Sequence, residues 1–472
     1  MPWRTWPVDQ QIDFRWIFAN AETARRQLVD ERMFVHRPAT WLEPLADQLI
    51  AFASYVPEDH ARPPHIWAQV PALVDEMHAV AIGITTRDRE TARQLIVALT
   101  TMAKVDGSAE ATAATAALAR YDGELAALHP DREFIVVGAD DYAWRLAHTE
   151  LIDQTPAQLL ATATAELLRV TAERVALKPR LPPPPEPTSA QHARATELTR
   201  DSLLAMYDAI EAYLRAATIT AGFVTIPASV GPIHARETPD AMVPLDGDGG
   251  SMNPPPPYIA SNVGEWNVEH FHAGWDDQQR LDKIMSGDGW KTNGFGPYAA
   301  HEGFPGHHLQ LSIARLNPDP IRRILIDGMQ NEGWGLYAEE ELWRHGGLGE
   351  ALATKDAVLR SYQFRIMRVV YDINMETGVW TLQQGADFQQ QKPPGEGKMN
   401  EDILRAIQWP TQLVHYFAGK QQILALRAEY QRKLGATYTD RAFHDAFLAE
   451  GSIPVPLIRA KLLGTPVPDL AP

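Results

Sequence analysis

The sequence predicts a mostly α-helical protein with a small β element near the middle of the chain. Three observations carry this reading. Apolar residues recur at three- and four-residue spacing through most of the 472 residues, period-two alternation is scarce, and the few strand-like stretches cluster between residues 223 and 262. At roughly 150 residues per domain, the length suffices for about three domain-sized units and a large core.

The N-terminal region, 1–178, reads as helices joined by short polar turns, with Leu95, Ile96, Leu99 and Met102 marking one apolar face. Thr155-Pro156-Ala157-Gln158 has the form of a capping box, in which Thr155 caps, Pro156 takes the first helical position and Gln158 reaches back. A long helix is expected from there to about Lys178. It stops at Pro179-Arg180-Leu181-Pro182-Pro183-Pro184-Pro185-Glu186-Pro187, which cannot continue a helix and favours an extended path. Residues 179–190 are therefore a crossing segment to a second helical region, 191–472, expected to pack with the first as one unit.

Beyond the crossing, Leu203, Tyr207, Ile210 and Leu214 form another helical face. Phe223-Val224-Thr225-Ile226 and Tyr258 to Asn262 are the expected strands, separated by a loop at Asp246-Gly247-Asp248-Gly249-Gly250 and Pro254 to Pro257. From Tyr298 onward helix is expected again.

Composition narrows the chemistry. Lys and Arg number 43 against 60 Asp and Glu, a net charge of -17, which argues against nucleic-acid or anionic-membrane partners. The chain has no cysteine, so disulfides, thiol nucleophiles, iron–sulfur clusters and thiolate zinc sites are excluded together. Any metal must be held by His, Asp, Glu or carbonyl oxygen. The stretch from Met1 to Gln10 lacks a basic segment followed by an apolar one, and no apolar run reaches about 18 residues, so a cytoplasmic protein is expected.

The informative stretch is Ala300-His301-Glu302-Gly303-Phe304-Pro305-Gly306-His307-His308-Leu309-Gln310, followed by Asn331-Glu332-Gly333-Trp334-Gly335-Leu336-Tyr337-Ala338-Glu339. In a His-Glu-x-x-His helix the two histidines stand one turn apart and both reach one zinc. Here proline occupies position 305, and the next histidines lie about two turns from His301 on an ideal helix. Pro305 removes a helical hydrogen bond and Gly306 tolerates unusual dihedrals, so the extra residues are expected to bulge out. His307 is the expected second ligand, with His308 the alternative or a substrate-facing neighbour. Glu332 is the expected third ligand and leaves the fourth position of one Zn2+ per chain to water. Glu339, seven residues on, is either that ligand or a partner orienting an imidazole. Glu302 is the expected general base.

The plainer reading makes His307-His308 and Glu339-Glu340-Glu341 ordinary polar residues of two helices, as any one of them alone would be. Their combination with His301-Glu302 favours the metal. His270 and His272 offer a rival pair on one strand face, without an acid spaced as a third ligand.

On these residues the sequence resembles the bacterial domain-of-unknown-function 885 family, whose members share His-Glu-x-x-Pro-Gly-His-His-x-Gln and a later Glu-Gly-Trp-x-Leu-Tyr-x-Glu. The resemblance covers nearly the whole chain and extends to Arg368 with Asp372, Gly378-Val379-Trp380-Thr381, Gln412 to Tyr416, Gly419, Ile423 to Arg427 and Phe443-His444-Asp445. It implies the gluzincin group of metallopeptidases: a large helical fold around a central cleft and zinc-dependent hydrolysis of peptide or amide bonds in small substrates. A narrower likeness, of Tyr416-Phe417 to the Arg-Tyr-Phe segment of the angiotensin-converting-enzyme family, implies Tyr416 as oxyanion donor. Its plainer role is a buried tyrosine with a locally satisfied hydroxyl.

Arg368 or Arg427 is a candidate holder of a substrate carboxylate, each with an ordinary ion-pair role as the alternative. Asp372 and His415 are further candidates for supporting the site or the substrate. The chain departs from the family at Ile373-Asn374-Met375-Glu376, where Thr-Gly-x-His is usual, and at Phe417 and His415, which replace lysine and serine. Cleft positions among these would change the substrate. The competing expectations are therefore an amide or lactam hydrolase of a non-peptide metabolite, and a catalytically silent binding protein.

Overall fold

The computed structural model describes residues 2–55, 65–239, 242–243 and 247–469. Helix takes 67% of the chain and strand 3%, so the sheet is a local device and helix packing builds the fold. Helix α1 (Thr86–Asp106) buries Leu95, Ile96 and Leu99 and half-buries Met102. Helix α2 (Pro156–Leu177) opens on the expected box: Thr155 Oγ1 accepts from the Gln158 N–H at 3.3 Å, and Gln158 Oε1 accepts from the Thr155 N–H at 2.9 Å. A single tight turn, Lys178–Arg180, leads into coil, exposed from 182 to 186. Helix α3 (Arg200–Ala221) then buries Leu203, Tyr207, Ile210 and Leu214. Burying each such side chain contributes about 1.5–3 kcal/mol.

The three strands are β1 (Ile233–Glu237), β2 (Ser251–Asn253) and β3 (Gly264–Val268), with β3 central. It runs parallel to β1, Ile233 opposite Gly264, and antiparallel to β2, Met252 opposite Trp266. Neither expected strand forms where the sequence pointed. At 223–226 the backbone is claimed by side chains: Asp445 accepts the Thr225 N–H at 2.8 Å, and His444 Nδ1–H donates to the Phe223 carbonyl at 2.7 Å. At 258–262, Arg315 donates to the carbonyls of Ile259 and Ser261 at 2.7 Å each. Side-chain bonds to the backbone compete with a ladder, and here they win. The expected loop holds at 247–250, while Asp246 lies outside the described residues.

The remaining elements frame the site: α4 (Phe295–Glu302), α5 (His307–Ala314), α6 (Gly328–Arg344), α7 (Leu352–Glu376), α8 (Glu401–Gln408) and α9 (His415–Leu434). One apolar cluster lies within the N-terminal helices around Leu42, Trp67, Leu95 and Leu118. Another joins Tyr142, Leu159 and Val170 to Leu336, Tyr362, Ile366 and Phe417, so α2 and α7 share a core across the proline crossing.

Candidate metal centre

Helix α4 stops at Glu302, residues 303–306 turn, and α5 begins at His307. The expected bulge within one helix is thus a break between two. The Gly306 N–H donates to the Ala300 carbonyl at 3.0 Å, and a Cβ at position 306 would stand 1.9 Å from the His301 oxygen. Only glycine passes so close to a backbone carbonyl. The turn brings the His307 ring edge-on to that of His301, centroids 4.5 Å apart. His308 faces the other way: its Nε2 donates to the Gly231 carbonyl at 3.0 Å, its ring packs on Phe304, and burial pushes its pKa down to about 4.

Helix α6 supplies the rest. Asp327 caps it by accepting the Gln330 N–H at 2.7 Å. Glu332 Oε2 lies 3.3 Å from Nε2 of both His301 and His307. Trp334 Nε1–H donates to the Pro305 carbonyl at 3.0 Å and so holds the turn. Gly335 leaves room for the His301 ring, which a Cβ there would meet at 2.6 Å. Glu339 Oε1 accepts from His301 Nδ1–H at 2.8 Å, and its Oε2 accepts from the Ser361 hydroxyl at 2.6 Å.

These residues fit a zinc ion. Nitrogen and oxygen ligands at about 2.0–2.1 Å in tetrahedral array stand about 3.3–3.4 Å from one another, the spacing found between Glu332 and both imidazoles. Glu302 also offers an oxygen within 4.8 Å of both imidazole donors, so two carboxylates compete for the ligand role. Their electrostatics separate them. Burial raises Glu332, but its hydrogen bonds with His301 and His307 overcome this and hold it well below the usual carboxylate range. Burial likewise raises Glu302, and there the opposing histidines do not prevail. Without a metal Glu332 is therefore the more readily ionised of the two carboxylates, as a ligand must be. His301 is held up at about 9: burial opposes its charge, while Glu332 and Glu339 favour it.

A cavity of about 590 Å3 opens on this group, lined by His301, Glu302, His307, Glu332, Arg368 and Tyr416. The Tyr416 ring stacks beside that of His301, centroids 6.0 Å apart. Arg368 reaches the wall, yet its guanidinium is bidentate on Asp402 at 2.6 and 3.2 Å. Arg427 is remote from the cavity, bonded to Glu341 at 2.8 Å and Asp440 at 2.6 Å. Glu341, His345 and Asp440 form a second acid–histidine group, whose cation is that arginine.

Asp372 is buried outside the cavity and accepts the Tyr142 O–H at 2.5 Å. His415 lines an adjoining cavity of about 230 Å3 and pairs with Glu150 at 2.9 Å. Glu376 and Phe417 are buried and line neither cavity, so at these two departures from the family pattern the side chain is not part of a cavity wall. His270 pairs with Asp248 at 2.7 Å in a loop, while the His272 ring packs on Trp275.

Tyr298, Asn331, Arg365 and Arg405 are among the lining residues to which the sequence reading gave no role. Two had a signal, since Asn331 adjoins Glu332 and Arg365 precedes Arg368 by one helical turn. Arg405 had none.

Among solved structures, the chain is similar to "a putative lipoprotein of unknown function" from Shewanella oneidensis, with 18% identity and a TM-score of 0.73 over 97% of this chain and 88% of that one. It is also similar to a "putative lipoprotein" from Colwellia psychrerythraea, at 18% identity and a TM-score of 0.57 over 96% and 74%. At that identity the likeness is one of fold. No curated protein matches. A family model described as "Bacterial protein of unknown function (DUF885)" matches residues 18–462, and the chain belongs to that family.

Proposed function

We propose that the protein is a zinc-dependent, gluzincin-type hydrolase that cleaves peptide or peptide-like amide bonds in small substrates. The observation that carries the reading is the 3.3 Å approach of one Glu332 oxygen to two imidazoles, with Glu302 beside them and a cavity in front. Zinc bound there supplies Lewis-acid polarisation and an acidified water. Glu302 takes the proton of the attacking water at its carboxylate and returns it to the leaving nitrogen. The Tyr416 hydroxyl donates to the oxyanion that develops on the scissile carbonyl. Glu339 fixes the tautomer and tilt of His301. A volume of about 590 Å3 lies within the range of small-molecule sites, which argues for short substrates.

The absence of cysteine fits a cytoplasmic setting, whereas the lipoprotein names of the two similar structures point to the cell envelope. Among the described residues no helix is long and apolar enough to cross a membrane. Cell fractionation decides between the compartments.

The deciding experiment is elemental analysis of protein purified without chelator, followed by incubation with mixed dipeptides and tripeptides read by mass spectrometry. Stoichiometric zinc and cleavage lost on chelation are expected. A metal-free protein that gains no activity on zinc addition, or efficient internal cleavage of casein, overturns the proposal.

A further inference from the structure

Of the arginines lining the cavity, Arg368 is neutralised by Asp402, Arg87 by Glu90 and Arg37 by the more distant Asp88. Arg365 and Arg405 differ. Among the described residues neither has a carboxylate within ion-pair distance, although the charge of Arg365 reaches Glu302 and Glu339 and that of Arg405 reaches Asp402; the Nε–H of each, like that of Arg87, is buried without an acceptor. Arg365 is tethered by one bond, Nη1 to Ser361 Oγ at 3.2 Å, and its guanidinium stands 5.7 Å from the centre of the Tyr416 ring. Arg405 approaches the same residue from α8, Nη2 donating to the Tyr416 hydroxyl at 3.4 Å. A buried guanidinium donor left without an acceptor is costly, and both of these stand at Tyr416, where one anion would satisfy them. The side-chain oxygen of Asn331, also buried and without a donor, faces the same cavity.

Resting on the hydrolase reading, we infer that Arg365 and Arg405 bind a free carboxylate close to the scissile bond. The substrate class is then a short peptide held by its C-terminal carboxylate, or an amide of an amino acid bearing the same group. Planar guanidinium forks match a carboxylate in a way that a neutral amide cannot. Asn331 is placed to accept an N–H of the same backbone. Tyr416, which both arginines approach, ties the carboxylate site to the carbonyl under attack, so cleavage falls near the C-terminus. The sequence had pointed to Arg368 and Arg427 for this task, and both are already paired.

The test compares Ala-Ala-Ala with its C-terminal amide, by kcat/KM in zinc-loaded protein and by calorimetric binding to the Glu302→Gln variant. Wild type should favour the free acid by at least about tenfold, the scale of one charged hydrogen bond. In Arg365→Gln and Arg405→Gln the preference should collapse toward one, with Arg365→Lys intermediate. The preference is a ratio within each variant, so a loss of folded protein does not imitate the result. Cleavage with equal use of acid and amide overturns the inference and leaves the hydrolase reading intact. No cleavage of either peptide counts against the hydrolase reading. The binding ratio then decides the clamp: acid preference lost in Arg365→Gln sustains it, and equal binding of acid and amide rejects it.

Discussion

Glu339 sits behind His301, its carboxylate 2.8 Å from Nδ1, so that Nε2 is the nitrogen presented to Glu332 and the cavity. Both residues are almost fully buried, and the Ser361 hydroxyl takes the second Glu339 oxygen. A carboxylate in this position raises ligand basicity and fixes the ring. Glu339→Gln should weaken zinc affinity by about 10–100-fold in chelator competition. Unchanged affinity would make the contact a packing feature only.

The opposed directions of His307 and His308 set a second expectation. Zinc should be stoichiometric in wild type and in His308→Ala, and absent in His301→Ala, His307→Ala and Glu332→Ala. Loss in His308→Ala with retention in His307→Ala reverses the ligand assignment.

Glu302 stands beside the proposed ligands, and the proposal gives it the role of base. Glu302→Gln keeps the shape and all three donors, so zinc should stay while turnover falls by about 10²–10⁴. Near-normal turnover in the metal-loaded variant removes Glu302 from the chemistry.

In the proposed reaction Tyr416 donates to charge that exists only at the transition state, so Tyr416→Phe should lower kcat and kcat/KM together by about 10²–10³, or roughly 2.7–4 kcal/mol. Zinc content and Tm should hold, because the ring still packs on His301. A rise in KM alone would mean that the hydroxyl binds substrate and transition state equally.

Arg427 gives the contrasting case. Its partner Glu341 is 1% exposed, and the other charged groups facing that carboxylate are Arg344 at 3.7 Å, His345 at 4.0 Å and Asp440. Arg427→Ala strands a buried charge and should cost about 3 kcal/mol in urea unfolding, with activity per folded molecule retained. Burial already raises the Glu341 pKa above 4.5, and losing Arg427 raises it further. An acid whose folded pKa exceeds its unfolded value loses stability as pH rises through that window. The deficit should therefore be larger at pH 8 than at pH 5, and a pH-independent deficit rejects this account.

How much of this was legible from the chain depends on the range over which each feature is decided. The Thr155–Gln158 box and the face of Leu203, Tyr207, Ile210 and Leu214 follow from spacing within a few turns, and both form as read. His301, Glu302, His307 and Glu332 were named from residue type and motif, and they meet at one cavity. The strands were misplaced because Asp445, His444 and Arg315, distant in sequence, take the backbone groups that a ladder would need.

The sequence by itself determined which residue types are available for the chemistry: two histidines and a carboxylate in place of absent thiols, with an acid next to the first histidine. Only the tertiary structure decided between His307 and His308, since neighbours on a helix point about 100° apart and the angle at which α5 leaves the turn selects one. It also decided which arginines lack a carboxylate within ion-pair reach. Whether a guanidinium is spent depends on carboxylates brought near by folding: Asp402 reaches Arg368 from 34 residues away and Glu341 reaches Arg427 from 86, while no carboxylate comes within ion-pair reach of Arg365 or Arg405 among the described residues. Pairing of this kind is a property of the packed helices, and local spacing carries no record of it.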